Sequence, residues 1–184
     1  MKIFLVGVGC VGKSTIGKQF AKDTGYKFID FDTEVENFFG RSIPELKKKF
    51  KTEYLYRKNI SKVLSKIMKE NEFELIIVAL PPSGLCDWFW EIIKKSDWVT
   101  IFLDDTAENI LKRIVFYDYN SNIMKRTLTE KEKPLYLHEI EEDIKYFKQF
   151  YKKANYRIDI DGLDVVGSVE KLKNLVRDEG AKRP

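Results

Sequence analysis

The feature that most restricts this chain is Gly7-Val8-Gly9-Cys10-Val11-Gly12-Lys13-Ser14, a G-x-x-x-x-G-K-S string. It lies between the apolar run Lys2 to Val6 and a segment carrying Ile16, Phe20 and Ala21 at helical spacing. A strand, a glycine loop and a helix in that order let the backbone curl until successive N–H groups and the helix N-terminus converge on phosphate oxygens. The site so defined runs from Gly7 to Thr15, with Lys13 reaching the β and γ phosphates and Ser14 ligating Mg²⁺.

The same glycines also satisfy G-x-G-x-x-G as Gly7, Gly9 and Gly12, and Asp30 stands where a dinucleotide fold keeps its ribose-binding acid. A nicotinamide-binding domain is therefore a rival. Against it, Lys13 and Ser14 follow Gly12 directly, where that fold does not need them, and 184 residues leave little room for a separate substrate domain. No N-K-x-D element for guanine occurs, which leaves ATP, with Mg²⁺, as the expected cofactor.

Length and a hydrophobic fraction of 43% suit one domain with a substantial core, expected over 1–179, with 180–184 as a frayed tail. Lys and Arg exceed Asp and Glu by only 33 to 29, and the Lys runs at Lys47 to Lys49 and Lys152 to Lys153 fall among acids as solvated helix faces. Neither a nucleic-acid partner nor a membrane is expected, and the chain is read as a monomer or weak dimer. Two cysteines, Cys10 and Cys86, supply neither a disulfide framework nor a zinc site, which points to a reducing, cytoplasmic setting.

Further strands are expected at Lys27 to Asp30, Phe73 to Leu80, Trp98 to Leu103 and Tyr156 to Ile160. Helices are expected from Asp32, with Val35, Phe38 and Phe39 on one face, from a Ser42/Glu45 capping box, and over Glu53 to Lys69 and Leu85 to Ile93. Three more should carry Ile110, Leu111 and Ile114 into the core, cover Leu137 to Lys153, and run from Ser168 to Arg177. Asn120 to Lys133 is polar and aperiodic and reads as a mobile excursion. Five strands alternating with helices predict a three-layer α/β/α sandwich on a parallel sheet.

Asp30 and Asp32 leave the second strand at alternate positions, so both carboxylates should face one side beside the phosphate loop. There one can hold Mg²⁺ through water while the other takes a proton from an acceptor hydroxyl; capping the next helix is the plainer role open to Asp32. Arg57 is a candidate partner for a substrate carboxylate, or else one half of a surface ion pair.

Gly12 to Ala21, Phe28-Ile29-Asp30-Phe31-Asp32, the pair Tyr56-Arg57, and Lys133-Pro134-Leu135 before a helix together resemble the shikimate kinase family. The resemblance implies a P-loop, nucleoside-monophosphate-kinase-like fold with a lid, here about 119–134, and transfer of the ATP γ-phosphoryl group to the 3-hydroxyl of shikimate. It implies Mg²⁺ support from Asp30, acceptor contact from Asp32, carboxylate binding by Arg57, adenine contact from Arg113 and a lid cation at Lys133.

The chain departs from the family on the acceptor side. Three glycines that follow the family's third strand are replaced by Leu80-Pro81-Pro82-Ser83-Gly84, and proline has no N–H to donate. Phe147 stands for a second carboxylate-binding arginine, Ile60 for a glutamate that steadies Arg57, and Lys133 for a lid arginine, with Lys125, Arg126 and Lys131 as spare cations. A kinase for another small hydroxylated acceptor, its pocket made drier by Leu85, Trp88 and Trp90, is one alternative. A module that holds ATP without transferring phosphate is another.

Overall fold

The computed structural model describes residues 1–72 and 74–181. Phe73, at the head of the third apolar run, and the tail positions 182–184 lie outside the described residues. The glycine loop joins β1 (Lys2–Val6) to α1 (Lys13–Thr24), and β2 (Lys27–Asp30) is followed by α2 (Phe31–Phe39), α3 (Ile43–Phe50) and α4 (Glu53–Glu70). Then come β3 (Ile76–Ala79), α5 (Asp87–Ile93), β4 (Val99–Asp104) and α6 (Ala107–Leu111). A hairpin of β5 (Phe116–Tyr117) and β6 (Ile123–Met124) precedes α7 (Lys133–Tyr151), β7 (Tyr156–Asp159) and α8 (Val165–Ala181).

Five strands form one parallel sheet in the order β2-β3-β1-β4-β7. The central strands are apolar throughout because both faces are covered: Ile3 to Val6 and Ile76 to Val78 are fully buried. Phe4 stacks on Trp98 with ring centroids 4.4 Å apart. α1 lies close to the sheet because residue 17 is glycine; a Cβ there would stand 2.6 Å from the Phe28 ring. Parallel pairing brings the loops after β1, β2, β3, β4 and β7 to one edge, the edge at which open α/β sheets bind ligands.

Several boundaries differ from the sequence reading. The stretch Asn120 to Lys133 is not a featureless excursion: it contains β6, which pairs antiparallel with β5, and its last residue opens α7. Two-residue strands are too short to show a period. α7 starts four residues earlier than Leu137, with Pro134 in its first turn, a position proline tolerates because its missing N–H has no partner there anyway. α8 runs over Val165–Ala181, so Gly180 belongs to a helix and not to a tail. The Ser42/Glu45 capping box is present at α3. On α2, Val35 is buried while Phe38 is exposed, and of the trio Ile110, Leu111 and Ile114, of which α6 carries the first two, Ile110 alone is fully buried.

Candidate active site

The loop after β1 owes its shape to residues that adopt positive φ. Gly7 has φ +149° and a Cβ on it would meet the Leu103 carbonyl oxygen at 2.6 Å; Gly12 has φ +107° and caps α1 from a left-handed conformation. Cys10 holds φ +57°, an uncommon state for a residue with a side chain. Lys13 Nζ folds back and donates to the carbonyls of Gly7 and Val8, both at 2.8 Å. Burial pushes the Lys13 ammonium down to about 8, against the pull of Asp32, Cys10 and Asp30.

Asp30 closes β2 and caps α2. Its Oδ1 accepts from the backbone N–H groups of Asp32 and Thr33, while its Oδ2 accepts from Ser14 Oγ at 2.6 Å. The capping residue is thus Asp30 and not Asp32. The two carboxylates share the cleft for a reason other than strand alternation: the chain turns helical at Phe31, which is fully buried, and Asp32 projects from the first turn. Asp32 is open to water along the cleft and walled by protein on its other sides. Lost solvation, with Asp30 beside it, pushes its carboxyl up to about 6, and Lys13 and Lys47 offset this only in part.

These groups line one cleft of about 590 Å³, within the range of small-molecule sites. Its wall includes Gly9, Cys10, Val11, Gly12, Lys13, Ser14 and Thr15, together with Asp30, Asp32 and Arg113. Gly7 stands behind the loop. Pro81 and Pro82 form part of the wall, so proline rings without an N–H to donate occupy the region after β3, as the sequence departure implied. Leu85, Trp88 and Trp90 do not line this cleft: Leu85 is core, Trp88 lies against Tyr54, and Lys153 sits over Trp90.

Arg113 is oriented by Asp105, with which it forms an ion pair. Burial works against the Asp105 charge, but hydrogen bonds from Asn109, Arg113 and the Thr106 N–H outweigh it and hold its carboxyl below the usual range. Gly162 N–H also donates to Asp105 at 3.2 Å, which draws the loop after β7 toward the cleft. That loop and the start of α8 supply Leu163, Val165 and Ser168, and the hairpin supplies Tyr117; none of these was foreseen from sequence. The available signal was the Asp161-Gly162 turn at the ligand-binding edge of the sheet.

Besides Gly7, two further expected residues stand outside the cleft wall. Arg57, on α4, pairs with Asp87 at 3.2 Å and lies 3.7 Å from Glu53; burial opposes its charge, but Tyr146 and Asp87 more than compensate and hold its pKa above the ordinary value. Lys133 pairs with Glu130 across the first turn of α7. Phe147 is buried against Tyr151, whose hydroxyl donates to the Pro82 carbonyl at 2.9 Å. Among the described residues no helix is long and apolar enough to cross a membrane.

Residues 9–174 match the shikimate kinase family. A shikimate kinase of Clostridium botulinum (strain Eklund 17B / Type B) is 30% identical over 176 residues, 93% of this chain and 96% of that protein. The crystal structure of shikimate kinase from Bacteroides thetaiotaomicron matches with a TM-score of 0.79 at 25% identity, covering 96% of this chain and 98% of that one. Shikimate kinase from Acinetobacter baumannii in complex with shikimate shares the fold, with a TM-score of 0.75 at 22% identity over 97% of this chain and 93% of that one. The chain belongs to the shikimate kinase family and is an ATP-dependent phosphotransferase that acts on an alcohol group of its acceptor.

Proposed function

We propose that the protein transfers the γ-phosphoryl group of ATP to the 3-hydroxyl of shikimate, in the cytoplasm. The observation that carries this reading is the joint placement of Asp32 and the Lys13 loop in one cleft, a proton acceptor beside a phosphate cradle. The shikimate bound in the Acinetobacter baumannii relative supports the choice of acceptor.

In this scheme the acceptor oxygen attacks the γ-phosphorus, the bond to the β,γ-bridging oxygen breaks, and the acceptor proton passes to Asp32. Lys13 exchanges the loop carbonyls for phosphate oxygens and offsets their charge. The Ser14 hydroxyl and Asp30 carboxylate are hard oxygen donors 2.6 Å apart, and they fit Mg²⁺, which is bound by one or two protein oxygens together with water and phosphate. When bound there, the ion would supply charge neutralisation for the triphosphate. Arg113 is assigned to the adenine, Arg57 to the acceptor carboxylate, and Lys133, with the 119–134 segment, to a lid.

The test is ATP turnover with shikimate against a panel of other polyols and nucleosides, with Arg57→Ala in parallel. Shikimate-dependent ADP release whose KM for shikimate rises in that variant sustains the reading; turnover with another acceptor alone sinks it. A second reading, the same chemistry on a different small alcohol, is favoured by Pro81 and Pro82 in the wall and by the apolar burial of Phe147.

A further inference from the structure

Among the described residues, Arg57 has an ion-pair partner on its own helix α4, Glu53, but no hydrogen-bond partner there for its guanidinium. One turn beyond it on the same helix stands Ile60, fully buried in the core, so no carboxylate from that position can orient the guanidinium. Glu53, one turn before, stays exposed and lies 3.7 Å from Nε, too far for a hydrogen bond. Nε is buried with no hydrogen-bond partner among the described residues. The contacts that fix the guanidinium come from other elements: Asp87 Oδ2 accepts from Nη1 at 3.2 Å, and Tyr146 on α7 is a second hydrogen-bond partner.

Asp87 reaches that position at a backbone cost. It opens α5 with φ +39°, in a region that residues with side chains rarely adopt, directly after the buried N-cap Cys86, which provides no side-chain cap of its own. Residues held in such conformations persist where the surroundings over-determine them, and they concentrate at functional sites. The segment that delivers Asp87 is Pro81 to Cys86, whose first two residues line the cleft. The wall of the acceptor side and the anchor of Arg57 are therefore parts of one short stretch of chain.

We infer that Asp87 is a positioning residue for the acceptor site. It anchors one corner of the Arg57 fork and leaves the guanidinium's remaining N–H groups for the acceptor's carboxylate. Two parallel N–H···O bonds to a planar carboxylate need the guanidinium held in a fixed plane, and the Asp87 anchor at Nη1, with Tyr146 as the second partner, does this. The inference rests on the assignment of Arg57 to the acceptor carboxylate made above.

Steady-state kinetics with shikimate and ATP test it in Asp87→Asn, Arg57→Ala and the double variant. Asn keeps the shape and tolerates the left-handed backbone, so Asp87→Asn preserves the fold, which a thermal melt checks. Both single variants should raise KM for shikimate about tenfold or more while KM for ATP stays within about twofold. The double variant should be no worse than Arg57→Ala alone, because Asp87 acts through Arg57. A shikimate KM unchanged or lowered by Asp87→Asn, with Arg57→Ala still impaired, overturns the role of Asp87 and leaves that of Arg57. Additive losses in the double variant overturn it as well. An Arg57→Ala protein with wild-type shikimate KM overturns the Arg57 assignment, and the inference with it.

Discussion

Ser14 Oγ donates to Asp30 Oδ2 at 2.6 Å, although the two residues belong to different βα units. The other oxygen of Asp30 is fixed by the first N–H groups of α2, so the carboxylate cannot swing away from the phosphate loop. One side chain thereby terminates a strand, starts a helix and aims an oxygen at the first turn of α1. The geometry is set by backbone capping at the start of α2.

If that oxygen pair holds Mg²⁺, removing either member should weaken the metal more than the nucleotide. Ser14→Ala is expected to raise the Mg²⁺ concentration for half-maximal turnover roughly tenfold, with a smaller change in ATP binding measured without metal. Titration of activity against free Mg²⁺ at saturating ATP is the check. An unchanged metal requirement would move the ion elsewhere.

Lys13 is held by two carbonyls and half-buried, and its charge is costly there, since burial lowers its pKa to about 8. Lys13→Ala should reduce kcat by about 100-fold to 1,000-fold, the usual loss when a charge that stabilises the transition state is removed. Its melting temperature should be unchanged or slightly higher, because a disfavoured charge has gone. A variant that unfolds would show that the lysine is structural.

Asp32 and Lys13 together dictate the pH profile of kcat/KM. Asp32 must be ionised to accept the acceptor's proton, so activity falls as pH drops through about 6. Lys13 must be charged to receive a triphosphate, so activity also falls as pH rises through about 8. The expected curve is a bell with its top between these values. Asp32→Asn should lose about 100-fold in kcat and lack the acidic limb, and a limb that persists would belong to another group.

The clustering of the phosphate-loop residues with Asp30 and Asp32 in the candidate site was legible because it is local in sequence. Gly7 to Thr15 is one contiguous stretch, and Asp30 and Asp32 sit at the strand-to-helix junction that the apolar pattern marks. Capping chemistry at Ser42 and Glu45 was legible for the same reason. The acceptor side was not, because Asp87 meets Arg57 from 30 residues away and Phe147 reaches its place through packing on Tyr151. The β5–β6 hairpin escaped notice since two-residue strands have no period to detect, and the contribution of Leu163 and Val165 depends on where α8 starts.

Gly7 tests whether the loop's shape is required by close approach to a neighbouring strand. A Cβ at this position would stand 2.6 Å from the Leu103 carbonyl oxygen, backbone that cannot turn aside, and its φ of +149° is strained for any other residue. Gly7→Ala should cost about 2 kcal/mol or more and lower the melting temperature by about 4 to 8 °C. A thermal melt within 1 °C of the parent, on the order of assay error, would show that β4 yields readily.

The hairpin offers a test of the proposed lid. Its turn is tied across to the other side of the cleft: Ser42 Oγ donates to the Tyr119 carbonyl at 2.9 Å, and Ser121 Oγ donates to Glu36. Its strands carry exposed Tyr117, Ile123 and Met124, surfaces with little packing to hold them. Two hydroxyl bonds and a four-residue ladder make a weak unit, so amides across 116–132 should exchange quickly in the free protein. A nucleotide in the cleft would meet Tyr117 and Arg113 on one side and the phosphate loop on the other, which would tie the hairpin to the sheet. Hydrogen exchange should therefore slow across 116–132 on adding MgATP while the strands of the sheet change little. Equal rates with and without nucleotide would mean that this segment is not a lid and that the cleft is closed by other means.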